Sequence, residues 1–177
     1  ELDILRNMLS WRPAGMIVTG LDQDEACLAL LENSDVPVVQ IMDTDGNAVD
    51  ACVGISHVDA GRDMADALVQ NGRKRFGYVG CSLPRDIRAQ KRYSGFIDGL
   101  KSHGLELQGA MLSEHASSVV QGRHLTKALL ARHPEIDCIY YSNDDVAAGG
   151  LFHCVALDIL VPDRIQLAGF NGLELLH

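Results

Sequence analysis

Short apolar runs recur along the chain, and helical spacing fills the stretches between them. The runs fall at 16–19, 37–41, 51–55, 76–80, 110–112, 137–141 and 165–169. Most are near-continuous rather than alternating, as in strands covered on both faces. Between them, Leu2, Leu5 and Leu9 share one helical face, as do Met64, Ala67 and Leu68. The segment 86–103 turns Tyr93, Phe96, Ile97 and Leu100 to its buried side. Leu125, Ala128 and Leu129 mark a further helix, and 146–155 another. Gly72 and Gly104 each stand just past a helical pattern, where a left-handed backbone closes the last turn. Strands alternating with helices over short links predict parallel strands, right-handed crossovers and an α/β fold.

The stretch 43–50 breaks this rhythm. It reads TDGN at its centre, a turn-rich link between two apolar runs. The chain also opens on a helical pattern, whereas a doubly wound lobe usually opens on a strand. The first lobe therefore reads as incomplete. A boundary near Ser56 and His57 divides the chain into 1–56 and 57–177.

Composition narrows the function. The 177 residues are 47% apolar, enough for a core, and only 5% aromatic, so the packing must be aliphatic. The net charge is −9 and no run of Lys and Arg occurs. That argues against a duplex-binding or membrane-surface face on this chain. No apolar stretch approaches the ~20 residues of a spanning helix. The five cysteines are odd in number and include no C-x-x-C pair. They read as small buried hydrophobes in a reducing compartment, which places the protein in the cytoplasm. Fingerprints for dinucleotides, P-loop phosphates, a nucleophile elbow or a zinc helix are missing from the sequence. The expectation is a binding protein, not an enzyme, with no cofactor and no metal.

Ligands in open α/β sheets bind outside the carboxyl ends of the strands. In CSLPRDIRAQKRYSGF a strand runs into a helix starting near Asp86, and Arg85, Arg88 and Arg92 have the spacing of one helical face. Cations in a first helical turn oppose the macrodipole, so their presence is understandable if an anion sits there. The alternative is a solvated charged face. Cys81 beside these cations is conceivable as a nucleophile, though no base is defined for it. In IYYSNDDVAAGG, Asn143 is either a helix cap or a donor to a ligand. Asn171 directly follows a buried strand, and Asp43 holds the matching place in the first lobe.

Taken in order, these stretches resemble the effector-binding core of LacI/GalR-type bacterial transcription regulators. The matching pieces are GMIVTG, VPVVQIMD, VGISHVDAGRDMADALVQNGRKRFGYVG, RYSGFIDGL, SNDDVAAGG and LDILVPDRIQLAGFN, which span nearly the whole chain. MLSWRPAGMIVTG and VPVVQIMD look closest to the gluconate (sugar-acid) branch. The resemblance implies a periplasmic-binding-protein-like fold with two Rossmann-like lobes, and a sugar or sugar acid held in the cleft between them. It implies Arg92 and Asn143 as ligand contacts, Asp43 as a first-lobe cleft position, and Ser117 where an aromatic often stacks. At Asn171 the family often has Asp; losing that charge suits a carboxylate held by Arg88 and Arg92. It also implies a homodimer, and control of operator DNA through a helix-turn-helix domain that this chain lacks. A periplasmic sugar-binding protein of a transporter shares the fold and is the rival expectation.

Overall fold

The computed structural model describes residues 1–81, 83 and 85–173. The chain divides into two compact units, 1–57 and 58–177.

The first unit holds helix α1 (Leu2–Ser10), strand β1 (Met16–Thr19), helix α2 (Glu25–Glu32), strand β2 (Val38–Ile41) and strand β3 (Ala51–Val53). The strands form a parallel sheet in the order β1-β2-β3. One face packs Met16 and Val38 against Leu5 of α1 and Cys27 and Leu31 of α2. On the other face Ile17 and Val53 stay 74% and 66% exposed. This sheet is therefore covered on one side only. Helix α2 was not anticipated from spacing. Its start is nonetheless written in the sequence, since Asp24 caps it by accepting from the Cys27 amide at 2.8 Å.

The second unit adds helix α3 (His57–Gln70), whose first residue belongs to the first unit, strand β4 (Phe76–Cys81) and helix α4 (Ile87–Ser102). Strand β5 (Leu107–Ser113), helix α5 (Val119–Arg132), strand β6 (Cys138–Tyr141), helix α6 (Asp144–Ala156) and strand β7 (Gln166–Ala168) follow. The sheet is parallel, in the order β5-β4-β6-β7. Successive residues of β4 and β6 serve opposite faces. Phe76, Tyr78, Cys138 and Tyr140 pack with Ala65 and Leu68 of α3 and Phe96 and Leu100 of α4. Val79, Ile139 and Tyr141 pack with Leu129 of α5 and Val146 and Cys154 of α6. Both faces are covered, which is why these strands read as unbroken apolar runs.

The helix pairs approach closely. A Cβ at Gly95 would fall onto the Val58 carbonyl oxygen, and one at Gly149 onto the Val119 carbonyl oxygen. Glycine is needed there for space, not for backbone freedom. Gly72 and Gly104 take φ of +83° and +69° after α3 and α4, as their position predicts. The buried side of α3 runs through Gly61, Ala65 and Leu68; Ala67 is exposed, one step off the face expected from spacing.

Candidate functional site

The loops leaving β4, β5, β6 and β7 gather the polar groups of the second unit at one edge of its sheet. Arg92 is the centre of this group. It lies in the second turn of α4 and is only 5% exposed. Its Nη2 donates to the Ser142 carbonyl at 2.9 Å, and its guanidinium carbon stands 3.8 Å from the centre of the Phe170 ring. A charge taken out of water needs such compensation, here a carbonyl dipole and an aromatic face. The backbone beneath it is fixed by α3, because a Cβ at Gly61 would fall onto the Arg92 carbonyl oxygen.

Tyr78 and Tyr140 face each other across β4 and β6, with ring centroids 5.7 Å apart. Both hydroxyls are buried without a hydrogen-bond partner among the described residues. Burial raises the pKa of both phenols, and the Arg92 charge opposes that shift. Both therefore remain neutral beside the guanidinium.

Arg88 lies one turn before Arg92 and is half-buried. Arg85 does not share their helical face. It is an exposed turn residue, because Asp86 caps the helix by accepting from the Ala89 amide at 2.9 Å, so α4 begins only at Ile87. Ser82 and Pro84 of the same stretch lie outside the described residues. Cys81 is buried and its thiol is pushed up by burial, the opposite of an activated nucleophile.

Asn143 is the N-cap of α6. Its Oδ1 accepts from the Val146 amide at 3.1 Å and its Nδ2 donates to Ser117 Oγ at 2.8 Å. The structure thus brings Asn143 and Ser117 together, tying the end of β6 to the loop after β5. Ser118, not Ser117, caps α5. Asn171 is exposed at φ 120°. Its loop is held by Asp144, whose Oδ2 accepts from the Leu173 amide at 2.7 Å and whose amide donates to the Phe170 carbonyl at 3.1 Å.

Asp43 belongs to the first unit. It is fully buried, and its Oδ1 accepts from the Asp45 amide at 2.8 Å. Asp45 Oδ2 accepts in turn from the His57 amide at 2.6 Å. The loop after β2 is therefore bonded to the segment after β3. Among the described residues, no group of three or more His, Cys, Asp or Glu is placed to hold a metal.

The profile described as "Periplasmic binding proteins and sugar binding domain of LacI family" matches residues 1–174. The chain belongs to this family. The LacI-family assignment covers both units and agrees with the two parallel sheets. Among curated relatives, the HTH-type transcriptional regulator GntR of Pseudomonas aeruginosa is 36% identical over 174 residues, covering 98% of this chain and 50% of that protein. A LacI-family transcriptional regulator from Silicibacter pomeroyi superposes with a TM-score of 0.94 at 47% identity, covering 98% of this chain and 52% of that one. The transcription regulator GntR from Chromobacterium violaceum gives 0.86 at 35% identity, covering 98% and 63%. The chain spans about half the length of the curated relatives it matches. No described helix is long and apolar enough to cross a membrane.

Neither group that holds the Arg92 guanidinium was anticipated in that role from sequence. Ser142 contributes through its carbonyl, which side-chain chemistry does not reveal. Phe170 had a visible signal: an aromatic directly after a buried strand, in a chain with few aromatics.

Proposed function

We propose that this chain is the effector-sensing part of a LacI-type transcription regulator and that its effector is a sugar acid of the gluconate kind. The effector's carboxylate meets Arg92 at the strand ends of the second unit, with Arg88 adding positive charge. Asn143 and Ser117 supply hydrogen bonds to its hydroxyls. Binding controls the grip of a separate helix-turn-helix domain on operator DNA, and the regulator works in the cytoplasm as a homodimer. The kinship with regulators named GntR supports the regulatory role.

The observation that carries the sugar-acid reading is the desolvated Arg92 guanidinium, clamped between the Ser142 carbonyl and the Phe170 ring. A rigid guanidinium offers a planar fork to a carboxylate and loses little entropy in doing so. The exposed Asn171 brings no negative charge to oppose an anion.

Calorimetric titration with gluconate, glucose and a purine base tests this. Saturable gluconate binding that Arg92→Ala weakens roughly 10- to 100-fold is expected, the range of a charged hydrogen bond. Equal or tighter binding of glucose, undisturbed by Arg92→Ala, would refute it.

A further inference from the structure

The loop 169–173 carries Phe170, whose ring lies over Arg92, yet its backbone is costly to hold. Asn171 stands at φ 120°, a region that side chains rarely enter, and Gly172 follows at φ +74°. Packing from behind is incomplete. A cavity of about 330 Å³ opens between the loop, β7 and α6, with Leu151, Val161 and Leu167 in its lining. Asn171 and Leu173 are exposed on the outer side.

Asp144 meets this loop at three points. Its amide donates to the Phe170 carbonyl at 3.1 Å, and its Oδ2 accepts from the Leu173 amide at 2.7 Å. Its Oδ1 lies so close to Gly169 that a Cβ there would fall onto it. The loop is thus fixed before, at and beyond Phe170. Asp144 is itself only 3% exposed and lies in the first turn of α6, where the helix dipole favours a carboxylate. Its neighbours serve the other walls of the site. The Ser142 carbonyl accepts from Arg92, and Asn143 donates to Ser117. Residues 142–144 therefore join α4, the loop after β5 and the loop after β7 into one frame.

We infer that Asp144 is a positioning residue for the effector: it fixes the loop so that the Phe170 ring covers the Arg92 guanidinium, and it does not touch the ligand. Its part in binding rests on the sugar-acid reading above. A carboxylate would repel an anionic effector, and this one is engaged by the loop. Its effect passes through Phe170 to Arg92.

The test uses the 177-residue chain with two readouts. One is the ring-current shift of the Arg92 guanidinium protons without ligand, with Phe170→Leu as the zero; the other is calorimetry with gluconate. Asp144→Ala and Gly169→Ala should each remove most of the shift and weaken gluconate roughly 3- to 10-fold, the scale of one cation–π contact. Asp144→Asn keeps an oxygen for the Leu173 amide and should recover most of both. In the Phe170→Leu background Asp144→Ala should cost less than about twofold, because the ring it positions is gone. Thr126→Val, which destabilises the same unit away from the loop, should leave both readouts in place.

Four results would overturn the proposal: a full shift in Asp144→Ala, no recovery in Asp144→Asn, additive losses with Phe170→Leu, or an equal loss in Thr126→Val. If the wild type binds no gluconate, the sugar-acid reading falls, and the ligand-free shift still decides whether Asp144 places the ring on Arg92.

Discussion

The guanidinium carbon of Arg92 stands 3.8 Å from the centre of the Phe170 ring, joining helix α4 to the loop after β7. The two residues are 78 positions apart in sequence, and the sheet order β4-β6-β7 brings their loops to one edge. Phe170→Leu keeps the apolar bulk and removes the ring face. It should cost about 1 kcal/mol of stability, the scale of a partly desolvated cation–π contact. Effector affinity should fall several-fold, because Arg92 loses one of the groups that hold it. Urea unfolding and calorimetry on the same variant would check both. Unchanged affinity would mean that the ring does not position the guanidinium.

Gly61 offers a way to disturb Arg92 without touching its side chain. A Cβ at 61 would press on the Arg92 carbonyl oxygen and push α4 away from α3. Gly61→Ala should destabilise the second unit by about 1–3 kcal/mol, the usual scale of overpacking. Effector affinity should fall with it, whereas Gly72→Ala, strained at φ +83° but with no atom within 4 Å of the added Cβ, should cost stability alone. Parallel unfolding and binding titrations separate the two cases.

The three large tyrosines of the sheet should respond differently to loss of the hydroxyl. Tyr141 shares a hydrogen bond of 3.1 Å with Thr126, whose hydroxyl also donates to the Gly122 carbonyl at 2.7 Å. Thr126→Val should cost about 1–3 kcal/mol, because it strands a buried hydroxyl, and Tyr141→Phe in that background should recover part of the loss. Tyr78 has no partner to lose among the described residues. Tyr78→Phe should therefore leave stability unchanged or raise it, by up to about 1 kcal/mol. A double-mutant cycle read by urea unfolding measures the Thr126–Tyr141 coupling directly.

His153 sets a pH dependence of definite sign. Its folded pKa is lowered, first by burial and then by Arg123 and Lys127. The unfolded chain therefore takes up the proton first as pH falls through the ordinary histidine range. Its contribution to stability is present above that range and is lost on acidification toward the lowered folded value. The wild type should lose more stability between pH 7.5 and 5 than His153→Gln does. Unfolding midpoints of the two chains across that window give the difference, and parallel curves would contradict it.

Much of this was legible in the sequence. The seven strands, the glycine stops after α3 and α4, and the family followed from apolar runs at helix-length intervals and from motifs in order. What escaped has physical reasons. Arg85 has the spacing of a helical residue, but the Asp86 side chain starts the helix after it. Asn143 caps α6, one of the two roles its position offered, but the grip of the same amide on Ser117 joins two loops distant in sequence, which spacing cannot show. Arg88 and Arg92 were distinguishable only in three dimensions, one half-buried and the other enclosed.

The central claim is that Arg92 recognises a carboxylate, not merely that it supports the fold. The ratio of gluconate to glucose affinity, measured by calorimetry in the wild type and in Arg92→Gln, tests this most directly. Recognition of charge predicts that the wild type favours gluconate at least tenfold and that the ratio falls close to one in the variant, with glucose affinity little altered. A ratio near one in the wild type, or an equal loss of both ligands in Arg92→Gln, would contradict the account.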